Sequence, residues 1–580
     1  MKFFHVYNDW HIKALEKNGL INRDSAFKIQ HVFSLPVELQ FNNYAAKGTK
    51  LHSLIKEGKY PFYVDRIQGG VTYYKYNFDK DLIREYNDIL GDEFLGFQLH
   101  ESASNRRNSD WQTILRRMDG AKGPYDPEKL KEVLYPSTAK KAIDGTVLPT
   151  LSQDLPEVYA ARKYAETPAE YIEEIRDLFS RKMAEVDGKI LPVDSYYMAT
   201  KLQDELGMRT FMPEVGCQIP LMRQQVALAR GMAKAAGKTW GAYYECWREV
   251  RDGISSPYYC MPCFNTHPSN EWYLTQEQHG DDFTTFGENG GSSRYLQNRI
   301  YYYSLMAGAN YFGEEWGLNC SYTDMEDFTL SDYGRIKKDF INTALDFRGI
   351  RAEIPFAIVL PTDYACMEIP EIWDEYEFGK PRETYLRCKL SDAEKKYYGH
   401  IEEVLKLCFL EKAPVGNESH TITNAHIPDI IDIVYADTNE EALSKYAYLI
   451  DATPSGEFAK KSGNKFRVLE SADIAKLEAD IKRLAKEVMP AFVSDLCWLV
   501  STDENGKRYL SIFNNDGNER DLKKGNVLHR EADARVTISF KDKTTPHILK
   551  ETLGSCSLER IDDNTFEATI PAAGFVIMSF

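Results

Sequence analysis

Met208–Gly216 reads MRTFMPEVG, Gln218–Lys238 reads QIPLMRQQVALARGMAKAAGK, and Thr239–Trp247 reads TWGAYYECW. The middle piece is dense in helix formers, and Gly237 sits where a C′ glycine ends a helix. Its flanks are short, apolar and aromatic, too short to be helices themselves. The unit is therefore strand–helix–strand, and the two strands end on Glu214 and Glu245. Such a crossover implies a parallel sheet, and closed parallel sheets carry their chemistry at the carboxyl ends of the strands.

Working outward, the same rhythm extends to both sides. Lys2–Asn8 (KFFHVYN) predicts a first strand, followed by a short helix over Trp10–Lys17. Lys28–Phe33 predicts a second strand with a helix near Lys50–Glu57, and Pro61–Arg66 a third with a helix over Asp79–Leu90. Phe94–Glu101 (FLGFQLHE) is the fourth. After a long irregular insertion, Thr167–Glu185 is a helix with Thr167 as cap, Pro168 at N1 and Glu170 at N3. Lys189–Asp194 is the fifth strand; Met208–Glu214 and Thr239–Glu245 are the sixth and seventh. Arg294–Ala307 is a helix, Ala309–Trp316 the eighth strand and Leu330–Phe347 a closing helix. Eight strand–helix units in about 350 residues predict an α/β fold, a (β/α)8 TIM barrel.

A second rhythm starts at the apolar strand Ile354–Pro361. It continues through a helix at Ser391–Phe409, strands at Asp429–Tyr435 and Tyr446–Ile450, and a helix at Ala472–Val488. Beyond Phe492 the pattern becomes short strands and turns, among them Trp498–Ser501, Tyr509–Asn514, Arg535–Phe540, Thr565–Ile570 and Phe575–Phe580, which predicts an antiparallel β-sandwich. The expected division is a catalytic barrel over 1–352, a small open α/β domain over 353–490 and a C-terminal β-sandwich over 491–580.

The chain has 580 residues, a net charge of -17 and 13% aromatic residues. The acidic balance argues against nucleic acid and anionic membrane surfaces as partners and suits neutral substrates. No stretch approaches the roughly 20 apolar residues of a membrane span, and the N-terminus lacks the apolar core of a signal peptide. The ten cysteines have no framework spacing, so the expected location is cytoplasmic. A homo-oligomer is compatible with the sequence.

The strand ends supply Asp65, Glu101, Asp194, Glu214, Glu245, Glu314 and Glu315. Acids there also serve to hold rim arginines such as Arg66 or Arg248 in ion pairs. Glu101 and Glu245 form the sharper pair, because strands four and seven end across the barrel mouth from each other. Cleavage of a glycosidic bond needs one carboxylic acid to protonate the leaving oxygen and a second carboxylate opposite it. The apolar strand before Glu101 would desolvate it and raise its pKa, as a general acid requires. Asp194 is placed to share in positioning a water, and Glu214 more weakly so. Trp247 offers a ring face to a sugar. The polar, aromatic loop Ser255–Gly291 offers Asn265, His267 and Trp272 as a substrate wall, and Glu315 and Trp316 close strand eight. Cys260-Met-Pro-Cys263 lacks a second such pair and does not open a helix after a strand, so it reads as structural. No His-x-His stands at a strand end, so neither metal nor other cofactor is expected.

The segment Ala307–Trp316 (AGANYFGEEW), followed by a helix and Ile354–Pro361, resembles the barrel exit of family 42 β-galactosidases. Glu101 and Glu245, on strands four and seven, match that clan's acid/base and nucleophile. His100 departs from it, standing where the clan usually has an Asn that contacts the sugar 2-hydroxyl. The ordered trio Glu101, Asp194 and Glu245 is also similar to family 98 glycoside hydrolases, inverting endo-acting enzymes on complex glycans with a glutamate acid and an Asp/Glu base pair. The resemblance implies a glycoside hydrolase with a carbohydrate substrate. The alternatives are a carbohydrate-binding barrel without catalysis, a retaining exo-β-galactosidase-like enzyme, and a metal-dependent barrel lyase or hydrolase. Between retention and inversion, Asp194 and His100 favour inversion.

Overall fold

The computed structural model describes residues 1–7, 11–29, 37–68, 77–100, 167–194, 197–216, 222–245, 250–251, 254–255, 293–315, 321–322, 326–364, 391–410, 422, 424–521, 525–552 and 556–580. Eight parallel strands form its first part: β1 (Lys2–Tyr7), β2 (Ser25–Ile29), β3 (Phe62–Gln68), β4 (Phe94–His100), β5 (Ile190–Val193), β6 (in two pieces, Thr210–Phe211 and Glu214–Gly216), β7 (Thr239–Glu245) and β8 (Tyr311–Glu315). Their hydrogen-bonded order is β5-β4-β3-β2-β1-β8-β7-β6. A parallel bridge between Val193 and Met212 brings β5 to β6 and nearly closes the ring. The expected barrel is therefore present.

Local chemistry sets most boundaries. In the helix Pro168–Glu185, the Thr167 hydroxyl accepts from the Glu170 N–H, and the Thr167 N–H donates to the Glu170 carboxylate. This reciprocal cap satisfies two otherwise orphaned donors. Asp79 caps Lys80–Leu90 in the same spirit. After Met222–Ala236, Gly237 takes a φ of +65°, and the Lys238 N–H returns to the Ala233 carbonyl. That six-to-one bond is the glycine stop expected from the sequence.

Two strands depart from expectation. β2 begins at Ser25 rather than Lys28. Lys28 lies inside the barrel, where Asp65 receives its charge, so the strand runs through the lysine instead of starting on it; 30–33 of the expected strand lie outside the described residues. The sixth strand breaks at Met212-Pro213. Pro213 has no N–H for the ladder, although its carbonyl still accepts from the Tyr243 N–H at 3.0 Å.

Alternation along the strands sorts side chains into two layers. Phe4, Ala26, Tyr63, Leu95, Leu191, Val193, Met212, Tyr243 and Tyr311 pack together inside the barrel. Their neighbours, such as Phe3, Phe27, Val64, Phe97 and Phe312, belong to the larger core beneath the helices. Gly96 makes the bulge in β4: its φ is +87°, and a Cβ there would lie 2.1 Å from the Lys189 carbonyl oxygen.

Beyond the barrel, Phe356–Leu360, Ile431–Tyr435, Tyr448–Asp451 and Val468–Glu470 form a parallel sheet. The helix Met222–Ala236 docks on Ile431–Tyr435. Gly231 permits the approach, since a Cβ would lie 2.3 Å from the Ile433 carbonyl oxygen. Buried Arg230 fixes it, with Nε 2.6 Å from Asp432 Oδ1 and one terminal nitrogen 3.0 Å from Asp429 Oδ2. The C-terminal part forms a four-stranded antiparallel sheet, a short hairpin and four strands of a five-stranded antiparallel sheet whose fifth strand is Arg351–Ala352.

Candidate functional site

The site grows from residues at or near the carboxyl ends of β2, β3, β4, β6 and β8. On β4, Gln98 and His100 alternate with Phe97 and Leu99 of the outer core, so both polar side chains fall on the inner face. On β8, Tyr311 belongs to the interior cluster. Period two then places Gly313 and Glu315 inside and Glu314 outside. A Cβ on Gly313 would meet Met212, Tyr243 and Tyr63, the floor beneath Glu315. On β6, Glu214 shares the face of Met212.

His100, Glu214 and Glu315 are all buried and converge. His100 Nε2 lies 3.6 Å from Glu315 Oε1 and 4.0 Å from Glu214 Oε1. Its Nδ1 is 3.2 Å from Gln98 Nε2, and its ring centroid is 6.1 Å from that of Tyr243. Beside this group, Lys28 Nζ donates to Asp65 Oδ2 at 3.2 Å and to the Glu314 carbonyl at 2.7 Å. The ammonium also lies 5.2 Å from the centroid of the Tyr243 ring. The two charged side chains are nearly inaccessible, at 1% and 4% exposure. Asp65, Glu214 and Glu315 thus stand with the buried Lys28 ammonium in an acid-rich interior.

Glu314, adjacent in sequence to Glu315, does different work. Its carboxylate receives Lys337 Nζ at 2.6 Å and the hydroxyls of Tyr301 and Tyr333. Burial and the Glu314 charge hold the Tyr301 phenol well above its ordinary pKa, so it remains a donor. This network ties β8 to the helices Arg294–Met306 and Asp332–Ala344. Among the described residues, the buried lysines Lys28 and Lys337 hold the strand-end acids Asp65 and Glu314; the side chains of Arg66 and Arg248, expected from the sequence to hold such acids, lie outside the described residues.

Of the residues singled out from sequence, His100, Glu214 and Glu315 come together. Asp194 is buried just past the end of β5. Glu245 closes β7 in register with Glu315 and Gly216; its side chain is not among those described. Glu101, Trp247, Asn265, His267, Trp272 and Trp316 lie outside the described residues, as do Arg248 and the Cys260–Cys263 pair. Sequence reasoning missed Lys28 and Gln98. A lysine flanked by Ala26, Phe27 and Ile29 was itself a signal of a buried charge with a partner. The two-residue step from Gln98 to His100 was a signal of a shared face.

No protein-family model and no curated protein matches the chain. Among solved structures it is similar to the catalytic module of a family 98 glycoside hydrolase from Streptococcus pneumoniae TIGR4, at 9% identity over 100% of this chain and 98% of the other, with a TM-score of 0.37. It is similar to alpha-L-fucosidase isoenzyme 2 from Paenibacillus thiaminolyticus, at 8% identity, 95% and 99% coverage and a TM-score of 0.41. A beta-galactosidase from the Antarctic haloarchaeon Halorubrum lacusprofundi gives 8% identity, 100% and 99% coverage and a TM-score of 0.40.

Proposed function

We propose that this chain hydrolyses a glycosidic bond in an oligosaccharide or complex glycan, using carboxylates at the mouth of the barrel. The observation that carries the reading is the gathering of Asp65, Glu214 and Glu315 on the inner face at the carboxyl ends of β3, β6 and β8, with Glu245 closing β7 beside them. A neutral, polar substrate whose transition state is oxocarbenium-like and positively charged suits such a mouth.

In this reading Glu101, the residue after β4, donates a proton to the leaving oxygen as the C–O bond breaks. Glu245, assisted by Asp194, takes a proton from the water that attacks the anomeric carbon, and the product forms with inversion. The rings of Trp247, Trp272 and Trp316, with Asn265, His267, His100, Glu214 and Glu315, make up the substrate-binding set. The two antiparallel sheets beyond residue 490 are read as the faces of a β-sandwich.

Turnover of a panel of aryl glycosides and oligosaccharides tests the reaction class. Glu101→Gln should keep its circular dichroism and substrate binding while kcat falls at least about a hundredfold, the scale of general acid catalysis. Near-wild-type turnover of that variant on a substrate with a poor leaving group would remove Glu101 from the mechanism. The anomer formed first, read by NMR, decides inversion: net retention would reassign Glu245 as a nucleophile.

A further inference from the structure

Three buried side chains from three different strands, His100, Glu214 and Glu315, present one donor atom each within 4.8 Å of one another. The distances from His100 Nε2 to the two carboxylates, 3.6 and 4.0 Å, exceed the roughly 2.7–3.2 Å of an N–H···O hydrogen bond. They are separations that two ligands of a single ion adopt. A cation among the three would sit roughly 2–2.5 Å from each donor atom.

Gln98 provides an independent observation. Its side chain is fully buried, and its Oε1 accepts no hydrogen bond among the described residues. The amide lies 3.2 Å from His100 Nδ1. The amide's oxygen and nitrogen exchange places by a half-turn about the last side-chain bond. With the carbonyl turned to the ring, Gln98 accepts the Nδ1 proton. The lone pair of His100 then rests on Nε2, aimed at the two carboxylates. An outer acceptor fixing a ligating histidine in this tautomer is the usual support of a metal-bound imidazole.

Charge points the same way. Glu214 and Glu315 place two carboxylates in a buried interior. Burying carboxylates is costly unless a cation or a proton accompanies them.

We propose that His100, Glu214 and Glu315 bind one divalent first-row cation of the Mn2+, Fe2+ or Zn2+ class. An imidazole with two carboxylates is a borderline-to-hard donor set of the kind these ions take. Three protein ligands leave coordination positions open to water or to substrate hydroxyls. The expectation of a metal-free barrel rested on the lack of a His-x-His pair. That test misses a site whose ligands come one from each of three strands.

Ion binding is read directly and without turnover, so its failure and that of the hydrolase reading are separable. The probe is Mn2+, because thiolates such as those of Cys260 and Cys263 compete poorly for it. Full-length chain stripped with EDTA is titrated with Mn2+, and free ion is followed by electron paramagnetic resonance. One equivalent should bind at micromolar protein and be displaced by Zn2+. His100→Ala and Glu315→Gln should each lower affinity at least tenfold, with circular dichroism unchanged. Gln98→Ala should lower it about 10–100-fold, as outer-shell losses do. His52→Ala, in the separate His52–Glu85 pair, should leave it intact. A wild-type chain that leaves the free-ion signal undiminished overturns the proposal. So does binding that survives both His100→Ala and Glu315→Gln.

Discussion

Replacing Lys28 by Met keeps the length of the side chain and removes the ammonium that pairs with Asp65 in the barrel. In the native protein Nζ bonds Asp65 Oδ2 at 3.2 Å and the Glu314 carbonyl at 2.7 Å, with both charged side chains nearly inaccessible. Removing one partner of a buried ion pair costs about 3–5 kcal/mol. Removing both is far less harmful, so Lys28→Met/Asp65→Leu should recover a large part of the loss. The assay is hydrogen exchange by mass spectrometry across a urea series, read on peptides covering Ser25–Ile29 and Phe62–Gln68, which reports the barrel's own opening. A loss below about 1 kcal/mol, against the 3–5 expected of a buried pair, would refute the reasoning. So would a double variant whose loss equals the sum of the two single ones.

Gly96→Ala should destabilise the barrel by at least roughly 1–3 kcal/mol, the cost of holding a non-glycine residue in a strained backbone region, with a further contribution from the Lys189 carbonyl 2.1 Å from the new Cβ; a melting temperature within a degree of wild type would contradict it. Acid should weaken the fold through buried histidines. Burial pushes His11 down to about 3 and His5 well below its ordinary value. Both are neutral in the fold, whereas the unfolded chain protonates them near pH 6.5, so stability is lost as pH falls below that point. For His11 the loss runs at about 1.4 kcal/mol per pH unit until about pH 3. The urea midpoint between pH 6.5 and 4.5 should therefore fall less in His11→Gln than in wild type, and identical slopes would exclude His11 as a contributor.

The rhythm of strands and helices was legible in the sequence because its causes are local. Thr167-Pro168 with Glu170, Asp79 before Lys80 and Gly237 after Ala236 fix helix ends by hydrogen bonds spanning a few residues. Apolar runs such as Phe94–Leu99 and Thr239–Tyr244 mark strands whichever neighbours they later find. The βα repeat then leaves few topologies, and the parallel barrel is one of them. The acids at the strand ends could likewise be named in advance.

What those acids do was decided by tertiary structure. Glu314 and Glu315 are neighbours in the chain, yet one meets Lys337 and two tyrosines behind the barrel while the other meets His100 within it. Strand parity separates them, and parity becomes inside or outside only when the ring closes. The break at Pro213 likewise sets the level at which Glu214 stands. Lys28 and Asp65 lie 37 positions apart, and His100, Glu214 and Glu315 span more than half the barrel's sequence. Long-range strand pairing sets their separations, and composition and periodicity carry no record of it.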